Sequence, residues 1–582
     1  MNKPNPQVEA ERELLQNAQQ QGTAATVVAY TRLSGPGWLQ SAITLGGGSL
    51  SGALFLGVLG GSDMLWLQLV AIIMGVVMLS AISYVTLSTG ERPFQSINKH
   101  INPALGWGWL LATMTANMIW CMPQFGLCYE ALEKNLIGFC NTPAYQDAVA
   151  DGAKMYPLKI GISAFLLVLA GGLVYLNSQQ GKAAKIFDWA LKLMVGVVVI
   201  SFFGVVIIMT SKGELDWGSI LGGFVPDLTQ WTQPAGKIAG LVDGLSPQVD
   251  EFWSGLVVKS QRGVMIAAAA TAVGINMTFL LPYSMLARGW DRPFRGLARF
   301  DLSTGMAIPY VLVTSCVVIA AGAMFHGDID DKFASNDPAV MQQSPLYKGA
   351  EKNLLERIAL NENTETLTAA AKASRIAALP EAEKRIAASL VKRNAFQLSA
   401  SLSPLLGETT ANVVFGIGVL GMGFSSIIIL MLINGYALCE MLGRPQGGAP
   451  HVIGCLIAGV VGASWWLVWD GDAKMWLAIL VSSFGMMLLP IAYITFFMMM
   501  NSAKLLGDDR PRGGARVVWN VLMLISVLGA VGAAATAVID KASHKTAGPV
   551  VIGIGVLFVV SVIISAVGKA LVGATPDPQA KP

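Results

Sequence analysis

Twelve long apolar stretches dominate this sequence, and each is long enough to cross a lipid bilayer as a helix. About 20 predominantly apolar residues span the hydrocarbon core as an α-helix. Hydrophobic residues make up 54% of the chain and charged residues only 13%, against about 25% charged in soluble proteins. The sequence therefore predicts an all-α polytopic membrane protein of about 12 transmembrane helices. The predicted spans 1 to 12 are 38–60, 64–87, 105–129, 158–176, 187–209, 263–287, 302–325, 410–436, 451–468, 475–500, 515–539 and 547–572.

Basic residues lie in alternate loops between the spans. Because Lys and Arg are enriched in cytoplasmic loops, this pattern predicts that both termini are cytoplasmic, and we expect the membrane to be a bacterial inner membrane. The net charge is only +3, so the predicted partners are the lipid bilayer and a small ion or solute, not a nucleic acid. The basic loop residues are Arg92, Lys99, Lys182, Lys185, Arg288, Arg292, Arg295, Arg299, Arg444, Lys504, Arg510, Arg512 and Arg516.

Two spans carry helix-breaking residues at matching places. Gly46, Gly47, Gly48 and Ser49 predict an unwound stretch in span 1, and span 6 carries Gly274 and then Pro282. Spans 1 and 6 begin two five-span halves, and since five is odd, the halves enter the membrane in opposite directions. Interrupted helices at corresponding positions of inverted halves indicate a transporter's central site. The alternative is that these glycines only allow close helix packing.

These spans divide the chain into segments. The insertion before span 8 is rich in Ala, Glu, Lys and Arg, which favours helix and predicts a helical cap. The predicted segments are a cytoplasmic N-terminal tail with one short amphipathic helix (1–34), the first five-span repeat (35–210), an extracytoplasmic loop (211–262), the second five-span repeat (263–500) with the extracytoplasmic insertion 326–408, spans 11 and 12 (501–573), and a C-terminal tail (574–582).

Several motifs resemble, in the correct order, those of the Nramp divalent-metal transporters. They are GPGWLQSAITLGGGS in span 1, LSTGERPFQSINKHINPALGWGWLLA between spans 2 and 3, RFDLSTGMAIPYVLVTSCVVIAAGAMFH in span 7, GMGFSSIIILMLINGYALCEML in span 8 and MMLLPIAYITFFMMMNSAKLLGD in span 10. The resemblance implies a LeuT-like fold of 5+5 inverted spans with two extra spans. It also implies a divalent metal cation as the default substrate.

This chain differs from the family at the metal site. The family binds metal through an Asp and an Asn of the span-1 break and the Met of a span-6 Met-Pro-His. Aligned with these ligands are Gly46, Ser49 and Leu281. The family's span-1 Pro is replaced by Gly47, its His by Tyr283, its span-3 acidic residues by residues near Trp120 and Pro123, and its span-10 glutamine by about Leu488.

The predicted site is therefore neutral. Its carbonyl, hydroxyl and amide groups suit a monovalent cation, a hydrated cation or a small polar solute, while half-helix N-termini suit an anion. Met277 lies about one helical turn before Leu281 and is a candidate replacement for the family's sulfur ligand. For each single residue, hydrogen-bonded packing is the alternative. The candidates are Thr44, Gly46, Gly47, Gly48, Ser49, Asn117, Gln124, Asn276, Met277, Thr278, Leu281, Pro282 and Tyr283.

Ionisable residues fall only at the ends of the predicted spans. We expect their side chains to extend so that the charged groups reach the membrane surface. These residues are Glu130, Asp188, Lys192, Asp301 and Glu440. The four histidines lie in loops or at span edges, and the six cysteines have no metal-ligand spacing and are expected to be small core residues. A proton relay normally uses an intramembrane carboxylate or histidine, so proton coupling of the family's kind is not expected.

The sequence predicts a Nramp-related secondary transporter that works by alternating access, with a metal cation as substrate and a neutral site. Two alternatives stay open: transport of a non-metal small solute or anion, and a transporter-like sensor or scaffold that binds through residues 326–408. An enzyme is not expected, since no nucleophile–base pair occurs within the spans, and no cofactor is implied. A transporter would need Gly46–Gly48 and Pro282 and tolerate loss of the insertion, whereas a scaffold would show the reverse.

Overall fold

The computed structural model describes residues 6–150, 154–178, 196, 199–469, 471, 473–542 and 548–574, and this part of the chain contains helices but no strand. The principal helices are α1 (Pro6–Gln21), α2 (Thr23–Leu33), α3 (Pro36–Thr44), α4 (Gly47–Gly60), α5 (Leu65–Thr89), α6 (Pro103–Glu130), α7 (Tyr156–Ser178), α8 (Val199–Ser211), α9 (Pro247–Ala272), α10 (Ile275–Ala287), α11 (Ile308–Phe325), α12 (Tyr347–Ile358), α13 (Ala369–Ala377), α14 (Glu381–Ser389), α15 (Glu408–Met441), α16 (Gly448–Ala463), α17 (Lys474–Asn501), α18 (Gly513–Ala542) and α19 (Gly548–Ala574). Short helical turns include Pro143–Ala150, Trp217–Gly222, Gly236–Val242, Arg295–Asp301 and Ala395–Ser399.

The predicted spans correspond to these helices. Among the described residues, eight helical segments are long and apolar enough to cross a membrane, and three shorter apolar helices occur in spans 1, 5 and 12. Span 3 is α6, a 28-residue helix whose apolar run is broken by polar side chains. Residues 187–195 of predicted span 5, with Asp188 and Lys192, lie outside the described residues.

Helix α4 lies at the centre of the bundle and is almost entirely buried. It packs against α9, α11 and α17. A Cβ atom on Gly52 would lie 3.3 Å from Cα of Ala268 in α9, and one on Gly57 would lie 2.5 Å from the carbonyl oxygen of Val318 in α11. Small residues thus bring the neighbouring backbones into close contact, which is how helices associate in membranes.

The loop predicted at 211–262 is partly helical, because α9 begins at Pro247 and not near residue 263. The first turns of α9 carry Asp250, Glu251 and Lys259, so their hydropathy is low. Trp253 and Val257 nevertheless repeat on one buried face. An amphipathic helix of this kind is stabilised by a protein core instead of lipid.

That core belongs to a separate helical cap, formed by residues 236–257 and 331–391. Its buried cluster includes Val242, Trp253 and Leu354 and is distinct from the cluster of the bundle. At its centre the Arg357 guanidinium contacts the Glu383 carboxylate twice, at 2.6 and 3.0 Å, and Trp253 Nε1 donates to the same carboxylate at 2.9 Å. The predicted insertion 326–408 is helical here, and it shares its core with residues from the preceding segment.

His326 joins the cap to the bundle. Its Nε2 accepts the backbone N–H of Lys237 at 2.9 Å, so the proton is on Nδ1, which donates to the carbonyl of Val58 at 3.1 Å. Burial lowers the pKa of His326 to about 4, because a charged imidazole would lose its water shell. The neutral ring therefore bridges the end of α4 and the start of the cap.

This tether predicts a pH-dependent stability. Below pH 6.5 the unfolded chain binds a proton at His326, while the folded chain does not until about pH 4. The stabilisation is complete above pH 6.5 and falls as the pH drops through this window, by an amount of the order of 3 kcal/mol. We expect the melting temperature of His326→Gln, which retains a donor and an acceptor, to fall less between pH 7 and 4.5 than that of the wild type. Equal slopes would contradict this account.

Three carboxylates expected to reach the membrane surface are instead buried in the protein. Asp301 accepts the backbone N–H groups of Gly35 at 3.1 Å and Gly37 at 2.6 Å, and thereby caps the N-terminus of α3. Glu440 pairs with Arg92 at 3.4 Å. Glu130 accepts backbone N–H groups at the N-termini of Ala395–Ser399 and α17. Each finds a partner inside the fold, so exposure to the interface is unnecessary.

The N-terminal tail also differs from its prediction, since it forms two helices, α1 and α2, and not one. Arg12 of α1 pairs with Asp291 at 2.6 Å, and Tyr30 of α2 packs against Phe300, with ring centroids 5.4 Å apart. Both contacts lie in the connection between α10 and α11. The tail therefore runs along that connection and leads directly into α3.

Candidate functional site

The two interrupted spans break at the predicted Gly46 and Gly274, but over shorter stretches than predicted. Span 1 breaks at Leu45 and Gly46, between α3 and α4, and span 6 breaks at Val273 and Gly274, between α9 and α10. Gly46 (φ −81°, ψ 179°) and Gly274 (φ −85°, ψ 166°) are both extended. An extended residue is the usual start of a helix, so each glycine ends one break and begins the next half-helix.

Gly47, Gly48 and Ser49 were predicted to lie in unwound chain and are helical instead, and Pro282, predicted as a helix-breaking residue, does not end its helix. These three glycine and serine residues form the opening turn of α4, because only Leu45 and Gly46 interrupt the helix. Pro282 lies inside α10. A proline removes one donor from the helical ladder, and membrane helices tolerate this where neighbouring helices surround them.

A small cavity of about 50 Å³ lies between the two breaks. That is room for a few water molecules. Five sequence candidates line it, namely Gly48, Ser49, Gln124, Asn276 and Met277. The other lining residues are Ile43, Trp120, Ala270, Thr271, Gly274, Ser426, Leu430 and Ser482. All thirteen are uncharged, so the cavity is neutral.

Hydrogen bonds connect the half-helices around this cavity. Thr44 Oγ1 donates to the carbonyl of Gln40 at 2.9 Å and lies 3.5 Å from Met277 Sδ, across from α3 to α10. Ser49 Oγ donates to the carbonyl of Thr271 at 3.3 Å, across from α4 to the end of α9. The Asn276 side chain accepts the N–H of Met277 at 2.9 Å. Two hydroxyls therefore join the two broken spans to each other.

Several buried polar atoms near the cavity have no hydrogen-bond partner among the residues that the structure describes. Gln124 Oε1 is one, and on the same face of α6 Asn117 has both amide atoms unpartnered and Thr113 its hydroxyl. The spacing of 113, 117 and 124 places them in one row along the helix. Since buried polar atoms almost always have a partner, this row needs water or a bound ion.

The remaining candidates lie around the cavity without lining it. Gly46 and Gly47 are tightly packed: a Cβ on Gly46 would contact Ser426 Oγ, and one on Gly47 would lie 2.7 Å from Gln124 Oε1. Thr278 Oγ1 accepts a hydrogen bond from Trp109 Nε1 at 3.0 Å. Leu281, Pro282 and Tyr283 are buried further along α10.

Three residues missed by the sequence reasoning shape the cavity. The Trp120 ring fits between two glycines, since a Cβ on Gly274 would lie 2.6 Å from Trp120 Cη2 and one on Gly485 would contact Cζ2. Ser426 and Ser482 bring hydroxyls from α15 and α17. For α15, the sequence indicated a polar position only through the pair Ser425-Ser426 inside an apolar span.

Charged residues lie beyond both ends of the cavity. At the cap end, Lys474 Nζ contacts Glu133 Oε2 at 2.7 Å, and Tyr145 donates to the same carboxylate at 2.5 Å. Arg92 and Glu440 form their ion pair at the opposite end. Within the described chain, no three His, Cys, Asp or Glu side chains come together to hold a metal.

Two interrupted helices that face each other across a buried cavity, inside an all-helical bundle, define the LeuT-like inverted-repeat fold of membrane transporters. A family model described as "Natural resistance-associated macrophage protein-like" matches residues 37–350 and 366–537. The chain therefore belongs to the Nramp family and is an integral membrane protein, as the sequence motifs predicted.

Solved structures agree with this fold. A mutant of the Eremococcus coleocola manganese transporter matches with a TM-score of 0.60 and 13% identity, over 93% of this chain and 94% of that one. The same transporter in complex with an aromatic bis-isothiourea substituted compound matches with a TM-score of 0.59 and 15% identity, over the same shares. At such identities the likeness shows the fold alone. A search among curated proteins finds no significant match.

Proposed function

We propose that this protein is a secondary transporter that moves a metal cation by alternating access through a neutral site. The cavity between the two breaks carries the proposal, because it offers several oxygen donors and the sulfur of Met277 within about 50 Å³. The Nramp family membership and the likeness to a manganese transporter support a metal ion as cargo. We place both termini in the cytoplasm, as the basic loops predict, and we expect the membrane to be a bacterial inner membrane.

The size of the cavity favours an ion over an organic solute. A volume of about 50 Å³ holds a metal ion with a few water molecules, whereas small-molecule pockets have about 300–1,000 Å³. Gln124 Oε1 has no hydrogen-bond partner among the described residues. It could coordinate such an ion directly or accept a hydrogen bond from the water around it. This argues against the alternative of a non-metal solute in the conformation seen here.

The helix ends around the cavity also bear on the sign of the charge. The C-termini of α3 and α9 present carbonyl oxygens with partial negative charge, and the N-termini of α4 and α10 present N–H groups with partial positive charge. At α10 the Asn276 side chain already occupies the Met277 N–H. The carbonyl end of α9 is partly satisfied as well, by the Ser49 hydroxyl. The Met277 sulfur and the side-chain oxygens of the lining therefore carry the preference for a cation.

The absence of charge from the lining sets the expected affinity. Removing all water from a divalent cation would cost far more hydration free energy than its interactions with neutral ligands would restore. The ion therefore keeps part of its water shell, as a few carbonyl and hydroxyl ligands and several waters suit Mg²⁺ or Mn²⁺. We expect weaker binding than at a carboxylate site, with uptake that saturates only at high metal concentration.

Met277→Leu tests the role of the sulfur. Thioether sulfur favours softer metals, while oxygen donors suit Mn²⁺ and Mg²⁺. We expect Met277→Leu to reduce uptake of the softer ion Cd²⁺ into proteoliposomes at least fivefold and to change Mn²⁺ uptake less than twofold. Met498→Leu, at a position 43% exposed on α17, is the matched control and should leave both rates unchanged. An equal loss for both ions at Met277 would contradict a ligand role.

The separate core of the helical cap favours one rival, a sensor or scaffold that binds a partner through the cap. Replacing residues 331–391 with a short Gly/Ser linker separates the two functions. A transporter should still take up Mn²⁺ without these residues, because they contribute nothing to the cavity lining. Loss of a cellular phenotype with unchanged uptake by the purified protein would favour the scaffold.

A further inference from the structure

A second and larger cavity, of about 460 Å³, lies between α5, α9, α17 and α18. Its walls are almost entirely apolar and include Met74, Met265 and Met486. Its volume is about nine times that of the central cavity. An apolar space of this size inside a membrane protein would lose packing energy if it stayed empty.

The cavity opens sideways, out of the helix bundle. On α18, Gly529, Gly532 and Ala533 form the rim, and the two glycines are exposed. Next to them Leu528 is 61% exposed, as expected for a lipid-facing residue. Met74 of α5 packs against Gly529, whereas a Cβ on Gly532 would meet no atom within 4 Å. The gap between α5 and α18 therefore lies beside Gly532 and Ala533, and it is continuous with the apolar outer surface of the bundle.

One end of the cavity has the character of a membrane interface. There Trp66, a lining residue, donates from Nε1 to Gln230 Oε1 at 2.9 Å, and Trp231 and Leu228 complete the end wall. Tryptophans with a polar partner are typical of the level of the lipid headgroups. Met486 and Val273 line it at the depth of the helix break, and the other end reaches Leu489 and Tyr493, further along α17.

The two cavities share a thin wall. The last turn of α9 contributes Ala270 and Thr271 to the central cavity and Ala269 to the apolar one, and Val273 in the break after it also lines the apolar cavity. Helix α17 likewise contributes Ser482 to the first and Met486 to the second. Whatever fills the apolar cavity therefore supports the broken span from behind.

From this geometry we propose that the apolar cavity binds one acyl chain of a membrane phospholipid, from the leaflet on the side of the helical cap. The chain enters between α5 and α18, its headgroup stays near Trp66 and Trp231, and its end reaches the segment behind the α9–α10 break. In a bilayer the opening is surrounded by lipid hydrocarbon, and an acyl chain that enters the cavity contacts an apolar lining.

Photochemical labelling tests this directly and does not depend on transport. The purified full-length protein is reconstituted in phosphatidylethanolamine/phosphatidylglycerol vesicles that contain a phosphatidylcholine with a diazirine near the end of one acyl chain. After illumination, adducts are mapped by peptide mass spectrometry. We expect adducts on the segments around Met265 and Met486, which are 2% and 3% exposed, and on the exposed lipid-facing Met498 as a positive control.

Ala533→Trp should fill the opening and reduce labelling of the Met265 and Met486 segments at least fivefold, with labelling at Met498 unchanged. Leu528→Trp, on the outer face of α18, is the matched control and should label like the wild type. As a second readout, added phospholipid should raise the melting temperature of the wild type more than that of Ala533→Trp. Wild-type adducts confined to exposed positions such as Met498 would overturn the proposal.

Discussion

Gly46→Val is expected to reduce Mn²⁺ uptake into proteoliposomes to the level of empty liposomes. A Cβ on Gly46 would lie 2.9 Å from the carbonyl oxygen of Ile43 and would also contact Ser426 Oγ. The backbone oxygen cannot turn away, so the break between α3 and α4 must move, and the cavity lining moves with it. Uptake is measured with an entrapped metal-sensitive dye, at equal amounts of monodisperse protein.

Gly47→Pro is the matched control one residue later. Gly47 is the first residue of α4, where proline is favoured. Gly46 before it is extended at ψ 179°, as the residue preceding a proline should be. Its nearest neighbours, Leu127 Cδ1 at 2.6 Å and Gln124 Oε1 at 2.7 Å, are side-chain ends that can rotate. We expect uptake below that of the wild type, because Gln124 Oε1 lines the cavity and must shift, but clearly above that of empty liposomes. Full activity in Gly46→Val, or its loss in Gly47→Pro, would contradict this account of the break.

Glu133→Ala should have the largest effect on stability, a loss of about 3–5 kcal/mol, because it leaves a buried charge without its partner. Lys474 is only 4% exposed, and its Nζ contacts Glu133 at 2.7 Å. Tyr145 would lose the same acceptor. We expect the melting temperature of the protein in detergent to fall by several degrees.

Two comparisons isolate this effect. Glu133→Ala combined with Lys474→Met should recover most of the loss, since no unpaired charge then stays buried. Asp508→Ala breaks an exposed pair with Arg512, formed at 2.8 Å by side chains 74% and 99% exposed, and should change stability by less than about 0.5 kcal/mol. A loss in the double variant as large as in Glu133→Ala would contradict the buried-pair account.

The sequence predicted the helical class, the family and the two interrupted spans, because these depend on local features. Hydropathy identifies a span from the residues of that span alone. A glycine such as Gly46 or Gly274 indicates a break by itself, because a residue without a side chain weakens a helix. The break itself was placed less well. Each break takes only two residues, so the two glycines after Gly46 belong to α4.

The lining and the charged partners could not be predicted in the same way, because they depend on contacts between distant residues. Ser426 and Ser482 have the composition of ordinary packing residues until α15 and α17 are placed beside the break. Glu130 accepts an N–H from Ala395, 265 residues away, and nothing near Glu130 indicates that partner. In the cap core, Trp253 likewise contacts Glu383 although α10 and α11 lie between them in the sequence.

Metal uptake by the purified protein tests the central claim most directly, namely that a neutral site moves a metal cation. Liposomes containing the protein are given Mn²⁺ or Mg²⁺, with and without an inward proton gradient. We predict Mn²⁺ uptake above that of empty liposomes, lost in Gly46→Val, and changed less than twofold by the gradient because every residue that lines the cavity is uncharged. No uptake of either ion by folded protein would contradict metal transport, and strong acceleration by the gradient would contradict the neutral site.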